Sequence, residues 1–269
     1  MLAAAFTAAV AAPSAADAQY RAPALSNEAI GERYHVELSG TFWNPTLFGF
    51  ISSEQFGQAG SELDFIDDLG FLQKRFKDMR IVLRPAHKQR FRIQYTPIEY
   101  IGSTTLKRDV VYNGIKYAAS LPVASEFGWK VWRFGYEYDA FYQSRGFVGV
   151  LLEARYTSFS SSLTSLSPFV KASEFATAKA PLPAIGVVGR GYPARNVAID
   201  FELSGFKVPD VDPKYQANYY DWDLHGTVNF TENVGVQVGW RRMTTFLEFE
   251  HDKGDFKFQG MWFGGVVRY

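Results

Sequence analysis

A chain of 269 residues with 28 basic and 28 acidic side chains carries no net charge, which excludes a general electrostatic binder of nucleic acid. It has no cysteine, so a disulfide scaffold, a thiolate zinc site and a cysteine nucleophile are excluded too. Aromatic residues make up 17% of the chain, with 24 Phe, 15 Tyr and 6 Trp, a composition that favours strands.

Leu2 to Ala12 form an apolar run of about 11 residues, too short to span a bilayer. Pro13, Ser14 and the triplet Ala16-Asp17-Ala18 follow, in the order of an export signal with a small-residue cleavage site. Residues 1–18 are therefore expected to be a signal peptide, 19–32 a periplasmic N-terminal segment, and 33–269 the folded unit.

From there the period is two, as in strands whose side chains alternate between faces. Met79, Ile81 and Leu83 oppose Arg80 and Arg84, and Phe91, Ile93 and Tyr95 oppose Arg90, Arg92 and Gln94. Trp132, Phe134, Tyr136 and Tyr138 oppose Arg133, Gly135, Glu137 and Asp139, while Val148, Val150 and Leu152 oppose Glu153 and Arg155. Ile199, Phe201 and Leu203 oppose Asp200 and Glu202. Trp222, Leu224, Val228 and Phe230 oppose Asp221, Asp223 and His225, and Val234, Val236, Val238 and Trp240 oppose Gln237 and Arg241. No segment sustains a helical period. Strands are expected near 33–44, 61–84, 89–112, 115–141, 147–160, 182–190, 196–208, 217–230, 235–249 and 256–269. Asn113-Gly114 is expected to turn one strand into the next. Asp67-Asp68-Leu69-Gly70 interrupts the second strand and would raise the count if it is a true turn. The fold class is thus an all-β, closed antiparallel barrel of about ten strands, within a range of roughly 8–12.

Alternation alone does not say which face is inside. The export signal, strands at or above the length that crosses a bilayer, and charges recurring along one face all favour an apolar exterior. So do aromatics placed near strand ends as interfacial girdles: Tyr34, Phe42, Trp43, Tyr95, Tyr100, Trp129, Tyr156, Tyr219, Tyr220, Trp222, Trp240 and Trp262. The chain ends on Met261, Phe263, Gly265, Val267 and Tyr269, alternating to a terminal aromatic residue. That end resembles the C-terminal strand signal of bacterial outer-membrane barrels, and the chain as a whole resembles that class. The resemblance implies the bacterial outer membrane, its lipids as surroundings, and the barrel assembly machinery as a partner through Phe263, Val267 and Tyr269. More narrowly, Glu62-Leu63-Asp64-Phe65-Ile66-Asp67-Asp68-Leu69-Gly70, with Pro85-Ala86-His87 and Tyr95, resembles a group of proteobacterial outer-membrane barrel proteins without an assigned activity. It implies location and fold, not chemistry.

With the apolar face outward, a lumen charge network is expected from Glu37, Arg80, Arg92, Arg133, Glu137, Glu153, Arg155, Asp200, Glu202, Asp221, Asp223, His225 and Arg241. Opposite charges in a narrow lumen should pair, because an unpaired buried ion costs several kcal/mol. Such a lumen is occluded or admits only a small charged solute. Basic residues on the early strands and acidic ones on the later strands suggest a transverse field. A hydrolase of lipid or peptide at the barrel rim is the alternative, and it needs a Ser or Asp beside a His. His87 and His251 fall in turns, and His35 and His225 are expected to face the polar interior. Asp223 and His225 share a face, an arrangement better suited to an ion pair. No catalytic residue, metal site or cofactor is assigned.

Overall fold

The computed structural model describes residues 29–53, 60–112, 114–167, 173–207, 215–249 and 252–269. The expected signal peptide, the periplasmic segment before Ala29, Asn113 and His251 lie outside the described residues. The strands are β1 (Val36–Trp43), β2 (Thr46–Ser53), β3 (Leu63–Asp64), β4 (Phe76–Ala86), β5 (Gln89–Thr105), β6 (Val110–Tyr112), β7 (Ile115–Tyr117), β8 (Pro122–Gln143), β9 (Gly146–Ser165), β10 (Ser173–Ala194), β11 (Val197–Lys207), β12 (Tyr215–Asn229), β13 (Val234–Phe249) and β14 (Asp252–Arg268).

Ten of them close an antiparallel barrel in the order β1-β4-β5-β8-β9-β10-β11-β12-β13-β14, and β14 returns to β1. Beyond Asn44-Pro45, β2 continues along β14 from Gln259 to Asp252, so β1 and β2 act as one broken strand. Proline has no N–H to donate to a ladder, which suits a break at that place.

Three sequence expectations need correction. The second strand does not run from 61 to 84: Asp64 to Gly70 is a true turn, and the wall strand begins at Phe76. The turn does not raise the strand count, because β3 is only two residues long and pairs with β2. The hairpin at Asn113-Gly114 does not join two wall strands. It joins β6 to β7, a separate two-stranded sheet lying between β5 and β8 in the chain.

Short connections at residues 87–88, 144–145, 195–196 and 230–233 share one end with Tyr269, and the connections at the other end are longer except for residues 250–251 between β13 and β14. Short turns mark the periplasmic end of an outer-membrane barrel. The seam closes there through the main chain. His35 and Val36 donate to the Tyr269 carbonyl at 2.7 and 2.9 Å, and Tyr269 donates to that of Val36 at 2.8 Å. Deleting Tyr269 removes all three bonds and an 88% exposed aromatic ring. The folded fraction in the outer membrane should fall while export across the inner membrane continues. Wild-type levels of heat-modifiable protein after the deletion would count against this.

The barrel wall has two regimes along its axis. About ten residues cross a bilayer, yet β8 has 22 and β9 has 20. In the periplasmic half of β8, Trp132, Phe134 and Tyr138 face out, with Arg133, Glu137 and Asp139 buried. In the outer half the chemistry inverts without any slip in parity: Val123, Phe127, Trp129 and Val131 are buried, while Glu126 and Lys130 are exposed. On β5 the outward Phe91 and Ile93 give way to inward Ile98 and Tyr100, and on β14 outward Phe263 and Met261 give way to inward Phe258 and Phe256. Lipid solvates an apolar exterior below this level, whereas water surrounds the wall above it. The apolar side chains must then turn inward.

Candidate functional site: the barrel interior

The interior is built in two layers. The outer layer is aromatic and centred on Phe65, whose ring centroid lies 5.9 Å from Phe71, 5.3 Å from Phe127 and 5.6 Å from Phe256. Phe65 belongs to the turn after β3, which folds down into the mouth instead of standing above it. Asp64 shapes that turn by accepting from the amides of Ile66 and Asp67, each at 2.8 Å. Gly70 adopts a φ of +68°, in the left-handed region that favours glycine. Facing it on β5 is Gly102, where an added Cβ would sit 2.4 Å from the Leu69 carbonyl oxygen. Only a glycine lets the turn seat so closely.

The segment 106–121 braces this turn. Arg108 donates to Asp68 Oδ2 at 2.7 Å and to the Glu62 carbonyl at 2.5 Å. Tyr112 and Tyr117 reach the β9 wall, at Ser161 Oγ and the Leu163 carbonyl. The motif Leu63-Asp64-Phe65-Ile66-Asp67-Asp68-Leu69-Gly70 therefore packs inside the mouth of the barrel, against the inner face of its wall.

The layer beneath is ionic. Arg133 stands at its centre, with Glu153 and Glu202 each at 2.6 Å and Asp221 at 3.2 Å. Glu202 also receives Arg92 at 2.6 Å and Arg80 at 3.7 Å. Arg155 pairs with Glu153, and Arg241 reaches Asp221 at 2.7 Å and Asp78 at 3.4 Å. Glu137 is shared by Arg90, at 2.5 Å, and Arg92. His225 lies with Nδ1 2.6 Å from Asp223 and Nε2 3.5 Å from Asp200, which also pairs with Arg190. Glu37 meets Arg268 at 2.6 Å. Two guanidinium groups join the layers: Arg155 stacks on Tyr219 at 4.1 Å and Arg241 on Trp43 at 5.1 Å.

All thirteen side chains singled out in the sequence are inside the barrel and engaged in this layer. Asp78, Arg84, Arg90, Asp139, Arg190 and Arg268 belong to it as well and were not among them. Parity would have found Asp78, Arg84, Arg90 and Asp139, which share a strand face with Arg80, Arg92 or Glu137, whereas β10 and β14, which carry Arg190 and Arg268, had no assigned lumen residue to point to them. The expected transverse field is bridged, because Arg92 and Arg133 reach across to Glu202 while Arg190 and Arg241 add cations on the acidic side.

Two other expectations fail. Tyr34, Trp43, Tyr100, Trp129, Tyr219 and Trp262 are not girdle residues but are buried inside. The girdle consists of residues such as Phe42, Tyr95, Trp132, Tyr156, Tyr220 and Trp240, where Tyr95 and Trp132 stack at 4.5 Å. His35 does not face the interior. It sits in a bend before β1, where strand parity no longer applies, and is exposed.

The described chain ahead of β1 packs across the end of the barrel that holds the short turns. Ile30 donates to the Arg195 carbonyl at 2.7 Å, Asn229 Nδ2 to that of Ile30 at 2.7 Å, and Gly31 to Glu232 at 2.7 Å. Glu32 is held by Arg190 at 2.7 Å and Arg84 at 3.5 Å. Within the ionic layer, two cavities of about 30 Å³ flank Arg80 and Glu202. Each has room for about one or two water molecules.

A closed antiparallel barrel with an apolar belt, aromatic girdle and filled interior defines a transmembrane β-barrel of the bacterial outer membrane. Among solved structures, the chain is similar to the outer-membrane protease OmpT of Escherichia coli, with a TM-score of 0.56 and 11% identity over 91% of this chain and 99% of that one. It aligns more loosely with the attachment invasion locus protein Ail of Yersinia pestis, at a TM-score of 0.38 and 10% identity over 87% of this chain and 99% of that one. The toluene transporter TodX of Pseudomonas putida aligns with a TM-score of 0.38 and 8% identity over 87% of this chain and 90% of that one. No protein-family model matches the chain, and neither does any curated protein. At such identities the likeness is one of fold.

Proposed function

We propose that this barrel is an occluded structural element of the outer membrane, whose interior serves as a scaffold and not as a passage. The observation that carries this is closure at three successive levels. The aromatic stopper fills the mouth, the arginine–carboxylate layer fills the middle, and residues 29–32 cover the periplasmic opening. The two cavities beside Arg80 and Glu202, about 30 Å³ each, are small for a hydrated ion, which supports this reading. The rigid interior would then fix the geometry of the outer segments, such as the β6–β7 hairpin, that face the surroundings.

Peptide hydrolysis, the activity named for OmpT, gains no support from the described residues. His225 is 6% exposed, lies beneath Trp262 with ring centroids 4.9 Å apart, and is engaged by two carboxylates. A hydrolase needs such a group within reach of a substrate. The test is electrical. The refolded protein should show no steady conductance in planar bilayers at moderate voltage. A steady conductance of the wild type would replace the scaffold reading with a transport one.

A further inference from the structure

On three wall strands, the outward row turns cationic where it leaves the apolar belt. β4 presents Leu83, Ile81 and Met79 and then Lys77, with Arg75 just ahead of the strand. β13 presents Val234, Val236, Val238 and Trp240 and then Arg242. β14 presents Val267, Phe263 and Met261, then Gln259 and Lys257. These strand ends are contiguous, since β13 pairs with β14, β14 with β1 and β2, and β1 with β4. Arg242 is opposite Gln259, so Lys257 is its diagonal neighbour, about 7–8 Å away. Phe42 lies between Lys77 and Phe263 in the register.

The cations rest on the girdle. Arg75 lies 5.4 Å from the centroid of Phe263 and donates to Asn44 Oδ1 at 2.9 Å. Lys257 Nζ lies 5.6 Å from the centroid of Phe48. No described carboxylate forms an ion pair with any of the four. The outward acids of these strands, Asp255 and Glu248, lie farther from the belt, with Glu248 directly opposite Lys253. Beside β4, the next strands β5 and β8 carry Glu99, Glu126 and Lys130 above the belt, so the run of unpaired cations ends at the β4 edge.

We propose that Arg75, Lys77, Arg242 and Lys257 form a docking surface for the phosphate groups of a lipid headgroup in the outer leaflet. The height is that of the headgroups, directly above a girdle that marks the edge of the hydrocarbon. Guanidinium forks match phosphate oxygens, and each basic side chain near an anionic membrane surface contributes about 1 kcal/mol, or roughly fivefold in affinity. The guanidinium of Arg75 and the ammonium of Lys257 lie over aromatic rings, which hold both charges at the edge of the belt.

The folded protein in a nonionic detergent would be titrated with a bis-phosphorylated glycolipid and with the same lipid lacking phosphates, and bound lipid counted by native mass spectrometry. Wild-type protein should prefer the phosphorylated lipid by roughly tenfold or more. Lys77→Gln and Arg242→Gln should each weaken that binding about fivefold, and the quadruple glutamine variant by on the order of 100-fold or more. Lys88→Gln, in the short turn at the other end of the barrel, should change nothing. All four substitutions lie on the outer surface, and heat-modifiable migration verifies folding; if the quadruple variant fails to fold, the two single variants decide. Equal affinity for the two lipids, or single variants that bind like the wild type, would overturn the proposal.

Discussion

Replacing Arg133 with Ala should destabilise the barrel by about 3–5 kcal/mol, the range for breaking a buried ion pair from one side. Its guanidinium serves Glu153, Glu202 and Asp221 together, and its side chain is only 5% exposed. Glu153 would keep Arg155, Asp221 would keep Arg241, and Glu202 would keep Arg92 and Arg80. None of those partners can move into the vacated centre without leaving another carboxylate short. Arg133→Lys keeps the charge but loses the planar fork, so its loss should be intermediate. The measurement is urea unfolding of the protein refolded in lipid vesicles, followed by tryptophan fluorescence. A change below about 1 kcal/mol for the alanine variant would mean that water enters the lumen and solvates the acids as well as arginine does.

Phe65→Ala should have an effect of similar size and a different reach. The ring is fully buried among Phe71, Phe127 and Phe256, and truncation of such a residue costs about 3–5 kcal/mol, including the cavity it leaves. The stopper is tied to the wall by side-chain packing and by a few polar contacts, among them Ser125 Oγ donating to the Leu69 carbonyl at 2.5 Å. The loss should therefore appear as local opening of residues 60–75, with the membrane-spanning ladder intact. Protease added to intact cells should cut this segment in the variant and spare it in the wild type, while heat-modifiable migration persists. Equal protection in both proteins would show that the aromatic layer does not hold the stopper down.

The ten-strand barrel and the outward face of the belt were legible because alternation at period two is a local signal. Leu224, Val228 and Phe230 are exposed, and Asp221 and His225 are buried, as that pattern requires. The aromatic layer was not legible in the same way. Trp129 and Phe127 share their parity with Arg133 and Glu137, so one strand face changes from apolar to charged midway. A single assignment of faces therefore made girdle residues of buried aromatics. The missing signal was the inversion itself, which recurs on β5, β8, β12, β13 and β14 and marks where lipid gives way to water. The stopper was hidden for another reason. Asp64 to Phe71 owes its place to Gly102 and Ser125, which are distant in sequence, and no periodicity reports such a contact.

The break at Asn44-Pro45 gives the barrel a mechanical asymmetry. Above it β2 keeps a full ladder with β14, but among the described residues its other edge pairs with the two residues of β3 and accepts the Phe65 amide at the Gly49 carbonyl, since β4 starts level with Trp43. One sector of the upper wall is thus joined to its neighbour by packed rings and a folded turn, whereas the other described strands of the barrel are stitched by main-chain hydrogen bonds over long runs. Strain applied to the rim concentrates in that sector. It can widen by sliding side chains past one another, and the hoop of ten strands beneath stays shut.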